Sequence, residues 1–353
     1  MAFPDKSKHT GMIKNSIFFF MVSAALVLSL EMCLRLYGYM PKVSVPPFLY
    51  DNHPETWWTL RPGFSGVWKS KEGDILYRIN EQGIRSSSRY RHIPRGSGRV
   101  FIIGDSYTFG IGVNEEASFA RKLQDKLRLH HSGAEVVNLG VPGFGTKQSY
   151  HRLLEKAQQL GVPDAVIYIF CPNDPVDNIA GKKVVVGGIR VDAEKNHKYF
   201  LSLVGRGYYA SRLLAFTLDR IYSRFANPRT LKQRSFTDAG KGKQDREDIL
   251  VTGTYLGFLN EWTRLNGAAF VVATTNTSGY SPLLRNLADS LGFHFIEGDE
   301  VFNQVNLDKQ NLKLLEGHWN GLGHEFFSQG LSKYVLIHGL LPNTYRRNLR
   351  KTE

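Results

Sequence analysis

The chain has 353 residues and a formal net charge of +13, from 45 lysines and arginines against 32 aspartates and glutamates. Hydrophobic residues make up 42% of it, which excludes disorder as its main state, and its two cysteines are too few for a disulfide scaffold. The positive charge is regional, because residues 1–14, 181–243 and 344–353 together carry more than the whole excess. No nucleic-acid-binding motif accompanies these segments, so we expect no nucleic-acid partner.

An apolar stretch at residues 15–34 follows a basic tail at residues 1–14. Its uncharged part, 15–30, falls slightly short of the roughly 17–25 residues that span a bilayer, and Glu31 could reach the headgroups. We predict an uncleaved transmembrane anchor; a cleaved signal peptide and a buried core helix are the alternatives. Lysines precede the span, so the positive-inside rule places residues 1–14 in the cytoplasm and the bulk of the chain outside.

A regular alternation of strands and helices begins after residues 40–98, which read as a linker with a small accessory β region. Apolar runs of strand length occur at 100–103, 136–139, 165–170, 269–273 and 293–296. Helical patterns occur at 116–130, 147–160, 250–265, 281–291 and 323–337. Continuous apolar strands alternating with helices are typical of parallel sheets covered on both faces. We predict an α/β domain of three layers over 99–340, built on a five-stranded parallel sheet, and a basic tail at 341–353.

A basic insertion at 175–249 separates the third and fourth predicted strands. It contains an apolar helical stripe opposite a basic face. The stripe is formed by Leu214, Leu218, Ile221, Tyr222 and Phe225, and the basic face by Arg206, Arg220 and Arg224. The pattern predicts either an amphipathic helix packed on the domain, a helix on the membrane surface, or a lid near the active site.

Ser106 follows the first strand of the predicted sheet, where the carboxyl ends of parallel strands form a binding crevice. It could be a nucleophile, or it could cap the next helix. A nucleophilic serine needs a base, and His318 lies on a loop just before the last helix, two residues after Glu316. Glu316 could accept from one imidazole nitrogen while the other faces Ser106. His324 lacks the second histidine of a zinc motif, so we expect no metal and no cofactor.

Oxyanion donors could come from the segments that follow the second and third strands. Gly143 lies in a glycine-rich turn, which could also be purely structural, and Asn173 follows the third strand. Aromatic side chains in the linker and beside His318 could stack on sugar rings, although packing is their commoner role. These aromatics are Trp57, Trp58, Trp68 and Trp319.

Four segments in chain order resemble the blocks of the SGNH, or GDSL, hydrolase superfamily. They are Gly104-Asp105-Ser106, Gly143, Asn173-Asp174 and His318. The resemblance implies a flavodoxin-like sheet, catalysis by Ser106 and His318, and an oxyanion hole from the N–H groups of Ser106 and Gly143 with the Asn173 side chain. Asp105, Asp174 and Asn320 are expected to support these groups. Two departures are Cys171 in place of a glycine, and Leu315 three residues before the histidine, where an aspartate is usual. Glu316 is the only acid there, so either Glu316 orients His318 or the enzyme works as a dyad supported by a backbone carbonyl.

The sequences of these segments are similar to those of the membrane-anchored bacterial branch of the superfamily, whose members often modify polysaccharides. This implies a single-pass protein of the cell inner membrane with a periplasmic catalytic domain. We expect a serine esterase or O-acyltransferase that acts on acyl, here acetyl, esters of cell-surface or exported polysaccharide. A lipid esterase or thioesterase and a non-catalytic glycan-binding scaffold are the alternatives. The oligomeric state is not predicted.

Overall fold

The computed structural model describes residues 6–39, 46, 48–70, 73–194, 198–225, 243–276, 279–302, 312 and 317–342. The strands are β1 (Tyr50–His53), β2 (Trp57–Leu60), β3 (Ser65–Ser70), β4 (Gly73–Arg78), β5 (Arg99–Gly104), β6 (Glu135–Asn138), β7 (Ala165–Phe170), β8 (Lys183–Val186), β9 (Ile189–Asp192), β10 (Ala269–Thr274) and β11 (His294–Ile296). The helices are α1 (Lys6–Leu36), α2 (Ser106–Phe109), α3 (Phe119–Arg128), α4 (Thr146–Leu160), α5 (Asp174–Ile179), α6 (Lys198–Ala210), α7 (Arg212–Phe225), α8 (Lys243–Leu265), α9 (Ser281–Leu291), α10 (Gly298–Phe302) and α11 (Gly321–Ile337).

The central sheet has five strands in the order β11-β10-β7-β5-β6, and every pair in it is parallel. This confirms the predicted parallel sheet. In chain order the arrangement is that of flavodoxin-like folds, in which the direction of winding reverses between the first and third strands, here β5 and β7. Every residue of β5 and β7 is buried, because helices cover both faces. The reversal opens a crevice beyond the carboxyl ends of these two strands.

Helices form a layer on each side of the sheet, which confirms the predicted α/β/α architecture. Apolar side chains of α3, α10 and α11 fill one face, and those of α4, α8 and α9 fill the other. The first face centres on Phe119, Leu123, Val301, Phe327 and Leu331, and the second on Leu153, Leu160, Leu256, Leu259 and Leu284. The fold that the resemblance to SGNH hydrolases implies is therefore the one observed.

The accessory region forms two antiparallel hairpins, β1–β2 and β3–β4. They share a core with the segments that follow β5 and β6, including Phe109 and Phe144. Trp58, Trp68 and Trp319 are all buried, so these three are packing aromatics and do not face a sugar. Trp57 is half-buried. The hairpins thus lie over the loops at the carboxyl edge of the sheet.

Buried basic side chains tie this region to the α/β domain. Arg85 donates to the carbonyl oxygens of Phe109 and Gly110 at 2.7 and 2.5 Å. From the opposite direction, Arg152 of α4 donates to the Gly83 carbonyl at 2.5 Å. Both guanidinium groups are almost completely buried, so their hydrogen bonds replace the water that they lose.

The first helix, α1, projects from the domain. Its apolar segment Lys14–Leu36 has a mean hydropathy of 2.3, and none of that window is buried. The alternative of a buried core helix is therefore wrong. The segment is long and apolar enough to cross a membrane, a property that signal sequences share.

The basic insertion contains a hairpin, β8–β9, and two helices, α6 and α7. The predicted amphipathic helix lies within α7, where Leu214 and Leu218 are half-buried and Ala215 is fully buried. Arg220 is exposed on α7, as the basic face predicts. The placement of Arg206 on the same helix is wrong, because the helix is interrupted between α6 and α7 and Arg206 lies, also exposed, on α6. The side chains of residues 222–225 lie outside the described residues. The hairpin and α6 were not predicted, because short runs within an irregular basic segment carry little periodicity.

Candidate active site

The turn after β5 places Ser106 at the crevice. Gly104 has φ +150°, and a Cβ there would lie 2.9 Å from the Ile169 carbonyl oxygen, so a glycine is required. Asp105 is the N-cap of α2, since its Oδ1 accepts from the Tyr107 N–H at 2.9 Å. Ser106 is then the first residue of that helix. The interpretation of Ser106 as a cap is wrong, because Asp105 fills that position.

Ser106 and His318 are in direct contact. The Ser106 Oγ lies 2.8 Å from His318 Nε2, although the two residues are 212 positions apart. Burial lowers the pKa of His318 to about 4, so the imidazole is neutral at pH 7. A neutral imidazole whose Nε2 faces a hydroxyl is in the state needed to accept that hydroxyl's proton.

The loop that carries His318 is fixed on both sides. Asn320 is the N-cap of α11, and its side chain accepts from the N–H groups of Leu322 and Gly323, each at 3.0 Å. Trp319 is 2% exposed and packs among aromatic side chains, at 4.4 Å from the Phe327 ring centre. Asn320 therefore contributes to the position of His318 and does not reach the Ser106 hydroxyl.

Tyr107 also holds this loop, and it was missed in the sequence. Its hydroxyl donates to the Gly317 carbonyl at 2.9 Å. Its ring centre lies 4.9 Å from those of both His318 and Trp319. Because Tyr107 follows Ser106 directly, one short helix positions the hydroxyl and the imidazole relative to each other. No local sequence pattern predicts a contact between residues that are 210 positions apart.

Glu316, the predicted carboxylate partner of His318, lies outside the described residues. Its role stays a prediction. Asp105 is buried next to Ser106, with its Oδ2 at 3.3 Å from Ser106 Oγ. Burial raises the pKa of Asp105 to about 6.

The glycine-rich turn after β6 contributes Gly143, whose φ is +80°. Among the described residues no acceptor is found for the Gly143 N–H. The Ser106 N–H lies in the first turn of α2, where N–H groups have no acceptor within the helix. The turn thus presents one unused backbone donor at the same edge of the sheet as the start of α2.

Asn173, after β7, is exposed, and its amide bridges two carboxyl groups. Its Nδ2 donates to Asp177 Oδ2 at 2.7 Å and lies 3.5 Å from Asp105 Oδ2. The second distance is at the limit of a hydrogen bond, so Asp177 holds one amide hydrogen closely and Asp105, next to Ser106, holds the other weakly. Asp177 was not predicted, although its position four residues after Asn173 on a helical segment was a usable signal.

Asp174 and Cys171 stabilise the turn beneath Asn173. Asp174 is fully buried, and its Oδ2 accepts from the Cys171 N–H at 2.9 Å and from the Tyr168 hydroxyl. Burial raises the pKa of Asp174 well above its ordinary value. The buried Cys171 thiol lies 3.8 Å from Thr275 Oγ1. Asp174 therefore supports the turn and is too buried to meet a ligand.

Arg190 brings the basic insertion to the site. It lies on β9 and donates to the Pro142 carbonyl at 2.7 Å, next to Gly143. Its guanidinium stacks over the rings of Trp58 and Tyr50, with centroid distances of 4.5 and 5.1 Å. The insertion thus forms part of the wall beside the Gly143 turn. Among the described residues no cluster of three or more potential metal ligands occurs.

No protein-family model and no curated protein sequence matches the chain. Solved structures do match. The chain is similar to TesA at 12% identity, over 69% of this chain and 99% of that one, with a TM-score of 0.44. It is similar to the psychrotrophic esterase EstA from Pseudoalteromonas sp. at 11% identity, over 68% and 97%, with a TM-score of 0.42. For the acetyl xylan esterase AlAXEase the identity is 16%, over 67% and 99%, with a TM-score of 0.39. Similarity at this level carries no inference about chemistry, which must come from this chain's own residues.

Proposed function

We propose that the chain is a serine esterase or O-acyltransferase in which Ser106 is the nucleophile and His318 its general base. The observation that carries this is the 2.8 Å contact between Ser106 Oγ and the Nε2 of a neutral, half-buried histidine. The pair lies at the crevice where the winding of the sheet reverses. Backbone donors for a developing oxyanion lie at the same edge.

The reaction proceeds in two halves. In the first half, Ser106 Oγ attacks the ester carbonyl carbon while the hydroxyl proton passes to His318 Nε2. The tetrahedral intermediate then collapses, the bond to the alkoxide leaving group breaks, and the alkoxide takes the proton from His318. In the second half, water or a sugar hydroxyl attacks the acyl-enzyme and gives its proton to His318. The bond to Ser106 Oγ then breaks, and His318 returns the proton to Ser106 Oγ. We assign Glu316 the role of orienting the imidazole, with the proton on Nδ1.

The proposed oxyanion hole consists of the N–H groups of Ser106 and Gly143 and the amide of Asn173. Donors that are already in place before the reaction stabilise developing charge at low cost, because they need not reorganise in the transition state. The Asn173 amide is held by Asp177, and the Gly143 turn is held by Arg190. Asp105, Asp174 and Asn320 act through these groups.

For the substrate, we propose acetyl esters of a cell-surface or exported polysaccharide. Asn173, Asp177 and Arg190 place polar and charged side chains beside the site, and such groups suit hydroxyl-rich sugars better than a long acyl chain. The apolar, unburied α1 supports an uncleaved single-pass anchor in the inner membrane, with residues 99–340 as a periplasmic catalytic domain.

The test uses the full chain in detergent with three substrates: p-nitrophenyl acetate, p-nitrophenyl palmitate and an acetylated polysaccharide. We expect turnover of both acetyl substrates, lost in Ser106→Ala. Free acetate as product identifies a hydrolase, and new acetyl groups on an added unacetylated oligosaccharide identify a transferase. Activity on neither acetyl substrate, with glycan binding unchanged by Ser106→Ala, contradicts the proposal and favours a non-catalytic scaffold.

A lipid esterase or thioesterase is the second candidate. The observation that favours it is the contact between α1 and the insertion, which brings a wall of the site close to the end of the apolar helix. Faster turnover of the palmitate ester than of the acetate ester would select this candidate.

Removing the Tyr107 hydroxyl tests its positioning role. Tyr107→Phe keeps the ring against His318 but removes the hydrogen bond to Gly317. We expect kcat to fall roughly fivefold, which corresponds to about 1 kcal/mol, with KM nearly unchanged. The matched control is Tyr334→Phe, whose hydroxyl contacts Phe295 instead. Equal effects of the two variants on kcat, or an effect of Tyr107→Phe on thermal stability alone, would contradict the assignment.

The pH profile of kcat/KM should show the depressed pKa of His318. His318 must be neutral to accept a proton, so activity should hold well below the ordinary histidine pKa of about 6.5 and fall as pH drops through about 4. Acetate release and the NMR titration of the His318 ring are measured on the same samples. An acid limb near 6.5 that follows the His318 titration would contradict this expectation and would show that a carboxylate partner, the role proposed for Glu316, offsets the effect of burial.

A further inference from the structure

The outer end of α1 contacts the insertion through Glu31. Its carboxylate accepts from the Ser211 hydroxyl at 2.9 Å and from the N–H groups of Arg212 and Leu213 at 3.0 and 2.8 Å. These two N–H groups open α7 and have no acceptor within that helix. Glu31 therefore caps a helix 181 residues away, and its negative charge lies at the positive end of the helix dipole.

Two further contacts complete this junction. Arg35 donates to Glu31 at 2.7 Å and to the Ala210 carbonyl at 2.9 Å. Beyond the end of α1, the Tyr39 hydroxyl donates to Asp219 at 2.5 Å, and the Tyr39 ring meets the Phe216 ring edge-on at 5.3 Å. The residues in contact, which we call the anchor clasp, are Glu31, Arg35 and Tyr39 on one side and 210–219 on the other.

The clasp contacts α7 at two separate places. Glu31 meets the start of α7, and Tyr39, later in the chain, meets Phe216 and Asp219 further along α7. The contacts at Arg212 and Asp219 are seven helical residues apart, a length of about 10 Å at 1.5 Å per residue. Contacts at both ends of this length resist rotation as well as separation.

Glu31 also gives the depth of the clasp. Seventeen helical positions separate Lys14 from Glu31 in the sequence, a rise of about 26 Å, against a hydrocarbon thickness of about 30 Å. With Lys14 at the inner boundary, Glu31 and the start of α7 lie at the outer boundary. A charged side chain at this depth is costly unless paired, and the clasp pairs Glu31 with four donors.

Helices α6 and α7 each expose an apolar and a basic side chain. Leu203 and Ile221 expose 58% and 48% of their surface, and Arg206 and Arg220 are exposed on the same two helices. Apolar side chains combined with arginines suit the headgroup region of an anionic bilayer, where arginine adds electrostatic attraction to apolar burial.

The insertion links this surface to the active site. Helix α6 packs on the β8–β9 hairpin, where Gly205 lies so close to Ile189 that a Cβ would be 3.0 Å from its side chain. The next residue, Arg190, donates to the Pro142 carbonyl beside Gly143. Contacts thus run from the anchor through α7, α6 and the hairpin to the proposed oxyanion turn.

We infer that α6 and α7 rest on the outer surface of the membrane, locked to the anchor by the clasp, so that the catalytic crevice has a fixed orientation and height above an anionic bilayer. This inference uses the proposed membrane anchor but not the proposed chemistry. The partner surface is lipid. The inference excludes a catalytic domain that rotates freely on a flexible linker.

The test places single fluorescent labels on the full chain in vesicles. In a Cys33→Ser background, Leu203→Cys and Ile221→Cys receive an environment-sensitive dye, with Leu129→Cys as control because Leu129 is 79% exposed on the α/β domain. The remaining cysteine, Cys171, is buried. Vesicles contain phosphatidylcholine with or without phosphatidylglycerol, and no other protein, so any effect comes from lipid.

We expect blue-shifted emission and quenching by a lipid-attached quencher at 203 and 221, stronger with phosphatidylglycerol, and neither effect at 129. Labels at 203 and 221 that behave like the label at 129 would overturn the inference. So would a mature chain that lacks α1 by mass spectrometry. Because the readout does not use Ser106, an inactive protein with the expected labels would overturn the proposed function alone.

Substitution of Glu31 tests the clasp itself. Glu31→Ala should remove most of the shift at 221, since α7 loses its cap and its tie to the anchor. Glu55→Ala, which removes an exposed acid elsewhere, should retain the shift in full. Thermal unfolding of both variants separates local release from global unfolding. An unchanged emission spectrum at 221 in a folded Glu31→Ala protein would overturn the role of the clasp.

Discussion

Replacing Ser106 with alanine should reduce kcat/KM for p-nitrophenyl acetate by about 10⁴-fold or more, with little change in substrate affinity. The hydroxyl is the group that forms the acyl-enzyme, and its Oγ lies 2.8 Å from His318 Nε2. The measurement is steady-state hydrolysis by the purified full chain. Ser88→Ala, an exposed serine, is the control and should retain wild-type activity.

The double variant sharpens this result. Ser106→Ala, His318→Ala and both together should have nearly the same residual rate, because the two side chains act as one unit and removing either disables it. Losses that multiply would mean that the residues contribute independently, which is incompatible with the proposed proton transfer. A Ser106→Ala variant that retains a tenth or more of the activity would exclude the nucleophile.

Asn173→Ala should lower kcat by about 10²–10³-fold, the usual cost of one oxyanion donor. The expected loss falls on kcat because the donor meets charge that exists only in the transition state. Asn173 is exposed, so the substitution should not change stability appreciably. Thermal unfolding checks this, and Asn266→Ala, an amide at the end of α8, serves as the matched control.

Asp177 provides an internal comparison for Asn173. Asp177→Asn leaves the Asn173 amide in place but weakens the hydrogen bond that holds it, so kcat should fall less than in Asn173→Ala. If Asn173→Ala has no effect on kcat while Asp177→Asn does, the carboxylate and not the amide contributes to the reaction.

Much of the fold is readable in the sequence because buried parallel strands are continuous apolar runs. The run before Gly104 and the run 165–170 predict the two central strands, and the segments after them predict where Ser106 and Asn173 emerge. The sequence therefore predicts that the candidate catalytic residues at the strand ends lie close together, even for Ser106 and His318, which are 212 positions apart.

The contacts that hold the site were not predictable in the same way. Tyr107 acts through a backbone carbonyl, Arg190 through a hairpin of the insertion, and Glu31 through the first turn of a distant helix. Each contact depends on tertiary packing and leaves no periodicity in the sequence. Sequence reasoning placed Glu31 at the edge of the membrane span but gave it no partner.

The buried arginines that join the accessory hairpins to the sheet bear on how the protein can be divided. A fragment that starts at residue 99 would lose the Gly83 acceptor of Arg152 and the bonds from Arg85 to Phe109 and Gly110, and would expose the apolar side chains of Phe109 and Phe144 that pack on the hairpins. Exposing a buried phenylalanine costs about 1.5–3 kcal/mol, a large share of the stability of a domain. A soluble enzyme for crystallisation or screening should therefore retain the chain from about residue 48, and homologues lacking that region would need another way to cover the same loops.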